Sequence, residues 1–253
     1  MGGPFHKRRY PRRCYVVCAI PRSGSNLLTD GLRATRRAGR PQQFFLPGHE
    51  AKFALRNGLD ATDFAAYVRG IISATATPNE VFGFKLMGGY LEGFLQRLRA
   101  TRAFGEESEV QDLEILRTAF PRLQFIQIAR RNKIRQAVSK ARAAQTGLWK
   151  IGKGKSASGE PQFDSNLISS CLEDTRREEM IWDRFFERIE VKPFRVEYEE
   201  LSENYAGTVA ATLDFLKIRA PSRERIRPIT VRQADALSRD WEKRFLALAP
   251  LSH

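Results

Sequence analysis

The run Tyr15-Val16-Val17-Cys18-Ala19-Ile20-Pro21-Arg22-Ser23-Gly24-Ser25-Asn26-Leu27-Leu28 constrains this chain most. An apolar strand feeds a short turn, and the turn feeds a helix. The turn carries Arg22, Ser23, Gly24, Ser25 and Asn26. Backbone N–H groups at the start of a helix converge on one spot, at the positive end of the helix dipole, where phosphate or sulfate groups bind. The G-x-x-x-x-G-K-[ST] phosphate loop is absent. A plain strand–turn–helix junction would use Gly24 for the turn alone. Two features go beyond that need: Arg22 stands at the mouth of the turn, and hydroxyls flank the glycine on both sides.

Strand-like and helix-like segments alternate along the 253 residues. Strands are predicted at 14–20, 81–87, 123–129 and 194–196, with a further short one at 43–46. Helices are predicted at 26–35, 64–74, 90–99, 110–119, 133–145, 166–189 and 205–217. Within 166–189, Ile168, Cys171, Leu172, Ile181, Trp182 and Phe185 fall on the apolar face. The alternation implies a single α/β domain with a central, mainly parallel sheet flanked by helices. A basic arm at 1–13 precedes it. The small, polar and basic stretch at about 150–162 reads as a mobile loop. GKGKS lies within that stretch but follows no apolar strand, so it is not a phosphate loop.

With 43 Lys and Arg against 29 Asp and Glu, the net charge is +14, which favours anionic partners. No apolar run reaches the roughly 18 residues of a membrane span. The basic start lacks the apolar stretch of a secretory signal. Cys14, Cys18 and Cys171 show no metal spacing, and a reduced cytoplasmic protein is the expectation.

A second strand feeds a basic turn at Arg130-Arg131-Asn132-Lys133 and then a helix carrying Arg135 and Ser139 on one face. Ligands of open α/β sheets bind at this carboxyl edge. Solvated charges after a strand are the simpler account of that turn taken alone. Two anion sites on one sheet suit a nucleotide with phosphates at both ends, such as PAPS (3′-phosphoadenosine 5′-phosphosulfate). ATP needs only the first and brings Mg²⁺.

More motifs follow in order: Leu32-Arg33-Ala34-Thr35, Ala38-Gly39-Arg40-Pro41-Gln42-Gln43-Phe44-Phe45, Gly83-Phe84-Lys85-Leu86-Met87, Gln136-Ala137 with Ser139, Gln145-Thr146-Gly147-Leu148-Trp149, and Arg232-Gln233-Ala234-Asp235 with Ser238 and Trp241. With the first loop, they make the chain resemble the PAPS-dependent trehalose 2-sulfotransferase family, which includes lipopolysaccharide sulfotransferases. The resemblance covers about residues 14–245. It implies a P-loop-like sulfotransferase architecture, PAPS as donor without a metal, a carbohydrate or glycolipid hydroxyl as acceptor, and a homodimer. It assigns the 5′-phosphosulfate to Arg22, Ser23, Gly24, Ser25 and Asn26. The 3′-phosphate goes to Ser139 with Arg130 or Arg131, and the Arg232 segment closes over the nucleotide. Arg40, Gln42, Gln43, Phe44, Phe45, Glu50 and Lys85 are then candidates for the acceptor side.

One departure stands out. The family's proposed general base is a glutamate where this chain has Gln43, and an amide takes no proton near pH 7. A family carboxylate facing the sugar is replaced by Arg40. Both changes move the charge in the positive direction, which points to an acidic acceptor and away from trehalose itself. The base then comes from elsewhere, with His49 ahead of Glu50 on intrinsic pKa. Gln43→Glu is expected to raise turnover if Gln43 occupies the base position. The alternative is a weak or inactive relative that binds PAP or a sulfated glycan. A general polyanion or nucleic-acid binder rests on net charge alone, because the aromatics form no evident stacking platform. A nucleotide kinase lacks its phosphate-loop lysine here.

Overall fold

The computed structural model describes residues 11–105, 111–149, 159–222, 226–227 and 236–248. Its elements are β1 (Arg13–Ala19), α1 (Ser25–Ala34), α2 (Glu50–Asn57), α3 (Phe64–Thr75), β2 (Val81–Met87), α4 (Leu91–Ala100), α5 (Asp112–Ala119), β3 (Gln124–Ala129), α6 (Lys133–Thr146), α7 (Ser165–Arg188), β4 (Phe194–Glu197), α8 (Tyr198–Glu203), α9 (Tyr205–Phe215) and α10 (Ala236–Leu248). A single 3-10 turn, Gly88–Tyr90, joins β2 to α4.

The four strands form one sheet in the order β2-β1-β3-β4, and every neighbouring pair is parallel. From Cys14 to Ala19 strand β1 is apolar and buried because both of its faces are covered. Val16 and Cys18 face a layer that includes Phe84, Ile71, Phe94 and Phe185, while Tyr15 and Val17 face Leu28, Leu32, Val209 and Leu213. A smaller core of Val138, Ala141, Ile168 and Trp241 joins α6, α7 and α10 beyond the sheet. Burial pushes the Cys14 thiol up to about 12. Tyr15 donates to the Ala38 carbonyl at 2.6 Å. Its ring fills the space over Gly83, where an added Cβ would lie 2.2 Å from the ring. Only glycine fits in β2 at that point.

After β1 the chain moves to β2 on one side, then crosses to β3 on the other. This reversal opens the crevice in which α/β sheets take ligands, at the carboxyl ends of β1 and β3. The two basic turns emerge there.

The short strand predicted at 43–46 does not form. One ladder-like bond joins the segment to β2, from the Lys85 N–H to the Gln42 carbonyl at 2.9 Å. Phe44 and Phe45 then both turn inward, at 0% and 1% exposure. An edge strand alternates its side chains between two faces, and two adjacent buried rings break that alternation. Phe45 stacks on Phe94 at 5.0 Å, and Phe44 on Phe82 at 6.0 Å. As sealed core rings they do not line an acceptor surface; they fix the backbone of Gln42 and Gln43. On α7, Ile168, Cys171, Trp182 and Phe185 are buried as expected, but Ile181 is 37% exposed. No helix among the described residues is long and apolar enough to cross a membrane. The basic arm to residue 10, residues 150–158 and Arg232 lie outside the described residues.

Candidate active site at the carboxyl ends of β1 and β3

The first turn is held by its own backbone. Ser23 donates to the Ile20 carbonyl through both its N–H (3.3 Å) and its hydroxyl (2.8 Å). Arg22 and Gly24 are left-handed, with φ of 62° and 89°. For arginine that conformation is strained, and such strain collects at sites where surroundings hold it in place. Gly24 caps α1 without a side-chain acceptor, and no acidic residue occupies the helix's first turn. The N-terminal N–H groups of α1 thus keep their pull on an anion. A Cβ on Gly24 would sit 2.4 Å from the ring of Tyr198, so the loop lies flat against that ring.

Helix α6 is fastened to this turn. Gln136 donates to the Pro21 carbonyl at 2.8 Å. Arg22 donates through Nε to Ser139 Oγ, and through Nη1 to the Trp149 carbonyl, each at 2.8 Å. The residues expected at the two ends of one nucleotide therefore touch directly.

The two arginines of the second turn part company. Arg130 is largely withdrawn from solvent, with its guanidinium 4.6 Å from the centre of the Tyr198 ring. Its Nε is buried without a hydrogen-bond partner among the described residues. The Arg131 side chain is 62% exposed and leans toward Glu199 at 3.9 Å. Glu199 also accepts the backbone N–H of Arg131 (3.0 Å) and of Asn132 (3.3 Å), which fixes the turn. Burial, followed by the neighbouring Arg130 charge, pushes the Arg22 guanidinium below its ordinary value. Burial likewise lowers Arg130, against the opposing pull of Tyr198 and Glu199. Both remain cations near neutral pH. Crowded, half-dehydrated cations of this kind are stabilised by an anion that replaces lost water.

On the β2 side, Lys85 is 6% exposed and donates to Asn26 Oδ1 at 2.7 Å. The Gln42 carbonyl lies beside it on the Lys85 N–H, and Gln43 follows, half-buried. Arg40 is exposed and has no ion pair among the described residues. His49 is exposed just ahead of α2. Glu50 is committed elsewhere: it is 8% exposed and pairs with Arg97 at 2.5 Å, and Arg97 stacks on Phe64 at 3.8 Å.

Two residues at this edge escaped sequence reasoning. Tyr198 separates the two turns, and its only signal was its place directly after the last strand. Arg142, one turn beyond Ser139, adds its charge to Arg22 and donates to Ser238 of α10 at 2.6 Å. Elsewhere, a cleft of about 430 Å³ is lined by Glu92, Arg99, Asp112 and Arg188. Its buried carboxylate, Asp112, is neutralised by Arg99 and Arg188. Among the described residues, no group of three or more His, Cys, Asp or Glu side chains is arranged to hold a metal ion.

The Stf0 sulphotransferase family model matches residues 14–247. The chain belongs to the Stf0 sulphotransferase family. A trehalose 2-sulfotransferase of Mycobacterium tuberculosis (strain Erdman) is 30% identical over 264 residues, covering 94% of this chain and 96% of its own. The trehalose 2-sulfotransferase of Mycolicibacterium smegmatis is 28% identical over 253 residues, covering 91% and 93%. Among solved structures, the sulfotransferase domain from the curacin biosynthetic pathway aligns with a TM-score of 0.48 at 16% identity, over 88% of this chain and 80% of that one. The loop from Arg22 to Asn26 and the turn at Arg130 lie on either side of the Tyr198 ring at the carboxyl edge of the sheet.

Proposed function

We propose that this sulfotransferase uses PAPS as donor and transfers its sulfuryl group to a hydroxyl of a carbohydrate or glycolipid. The observation that carries the reading is the 2.8 Å bond between Arg22 and Ser139, beside the half-buried Arg130 stacked on Tyr198. It supports two anion subsites that meet across one crevice. The 5′-phosphosulfate lies on Ser23, Gly24, Ser25 and Asn26 at the start of α1. The 3′-phosphate lies against Ser139 and Arg130, in preference to the exposed Arg131. The acceptor oxygen attacks sulfur in line with the leaving phosphate oxygen. Arg22, Lys85 and the loop N–H groups stabilise the charge that builds there, as fixed donors do in other transfers of this type.

The curated relatives support a carbohydrate acceptor. Exposed Arg40 supports one that also bears a carboxylate or phosphate. The homodimer belongs to the same proposal and is read by sedimentation. The test is to incubate the protein with PAPS and matched neutral and acidic sugars, then detect sulfated products by mass spectrometry. Sulfation favouring the acidic members is expected. PAP release without sulfation of any sugar in the panel would remove the carbohydrate acceptor.

A further inference from the structure

With Gln43 unable to take a proton, Glu50 tied to Arg97 and His49 exposed at the start of α2, the site is open to a base from another element. Glu178 of α7 offers one. One turn of α7 lies across the ends of the two strands that hold the donor loop and Lys85. Trp182 donates from Nε1 to the Ala19 carbonyl at 2.9 Å, at the last residue of β1. Gly88, the first residue after β2, is packed so closely that an added Cβ would lie 3.0 Å from the Glu178 carbonyl oxygen and 3.2 Å from Trp182 Nε1. From the other side comes Lys140, next in sequence to the Ser139 that receives Arg22. Its Nζ stands 3.3 Å from Glu178 Oε1 and 3.4 Å from Asp174 Oδ2.

The carboxylates around Glu178 are engaged, and Glu197, which has one buried oxygen without a partner among the described residues, ends β4 at the opposite edge of the sheet from β2. Glu199 holds the Arg131 and Asn132 N–H groups, Glu179 pairs with Lys133, Glu242 binds Asn132 and pairs with Arg135, and Asp174 pairs with Arg177 as well as Lys140. Glu178 has Lys140 alone among the described residues, and its side chain keeps 20% exposure. Burial raises its pKa, against the pull of Lys140, which makes it a stronger proton acceptor than a solvated glutamate.

We propose that Glu178 is the general base of the transfer. As the acceptor oxygen bonds to sulfur, its proton passes to the Glu178 carboxylate. The bond from sulfur to the 5′-phosphate oxygen breaks, and its electron pair leaves on PAP. Lys140 keeps the carboxylate ionised beforehand. The proposal rests on the donor and reaction class set out above.

The test pairs two readings on the full chain: PAP affinity by calorimetry, and PAP release from PAPS with water, trehalose or glucuronic acid as the added acceptor. Glu178→Gln is expected to lower PAP release about 10²–10⁴-fold while leaving PAP affinity unchanged. Gln43→Glu is expected to recover turnover in the Glu178→Gln background. Wild-type turnover in Glu178→Gln would overturn the proposal. So would a loss of PAP affinity in that variant, which would make Glu178 only an interhelical pairing residue. A wild type that binds PAP but releases none from PAPS also contradicts it. A wild type that fails to bind PAP removes the donor reading as well.

Discussion

The proposed donor side and the proposed acceptor side of this crevice are built in opposite ways. On the donor side, Arg22, Ser139, Gln136 and Arg130 are cross-linked or stacked, and Tyr198 is wedged against Gly24. On the acceptor side, Arg40 and His49 stand exposed, and Gln43 replaces the carboxylate expected there. A preorganised donor subsite places charge stabilisation before the reaction begins, when it is most effective. An exposed acceptor rim leaves specificity to a few side chains that can change without disturbing the fold. The difference teaches that the proposed donor subsite rests on interlocked geometry, whereas the proposed acceptor subsite rests on single substitutions.

The contrast yields predictions of decreasing size. Arg22→Ala should cost most, about 10³-fold in kcat/KM for PAPS, because it removes charge at the leaving oxygen. Steady-state kinetics reads this, and a loss under tenfold would mean that Arg22 serves the Trp149 carbonyl rather than the anion. Arg130→Ala should weaken PAP about 100-fold, in line with a charge-assisted contact in a dehydrated site. Arg131→Ala, at an exposed position, should change PAP affinity by less than about threefold. Reversal of that order would place the 3′-phosphate on Arg131.

Gly24→Ala breaks the comparison in another way. It strains a left-handed residue and drives a methyl into Tyr198, at a cost of about 1–3 kcal/mol in stability from the backbone alone. Thermal melting should show the loss, and PAP affinity should fall with it. Arg40→Ala should give the smallest effect. A fewfold higher KM for acidic sugars is expected, with neutral sugars and PAP unchanged, as for a solvent-exposed charge. Equal effects on both sugar classes would remove the acidic acceptor.

Much of this was legible because local chemistry and fold agreed. The apolar run at Tyr15–Ile20, the hydroxyl-rich turn after it and the basic turn after Ile128 each needed only the rule that strands of a covered sheet are apolar and end at the ligand edge. What was hidden depends on contacts between distant segments. Tyr198 meets Gly24 only after β4 is laid beside β3, and no periodicity announces it. Phe44 and Phe45 looked like strand and binding residues because aromatic pairs suit both; their burial follows from the cluster of phenylalanines beneath them. The proposed preference for Arg130 over Arg131 rests on which side chain Tyr198 covers. The escape of Ile181 to the surface follows from α7 turning its apolar face from α6 to the sheet along its length.

The most direct test of a crevice with two linked anion subsites is calorimetric titration of the wild-type protein with PAP and with ADP at equal, moderate salt. Binding of PAP at least about 100-fold tighter than ADP is predicted, the difference being the 3′-phosphate on Ser139 and Arg130. Equal affinities, or no binding of either, would contradict the account and reduce the arginine cluster to a general attraction for anions.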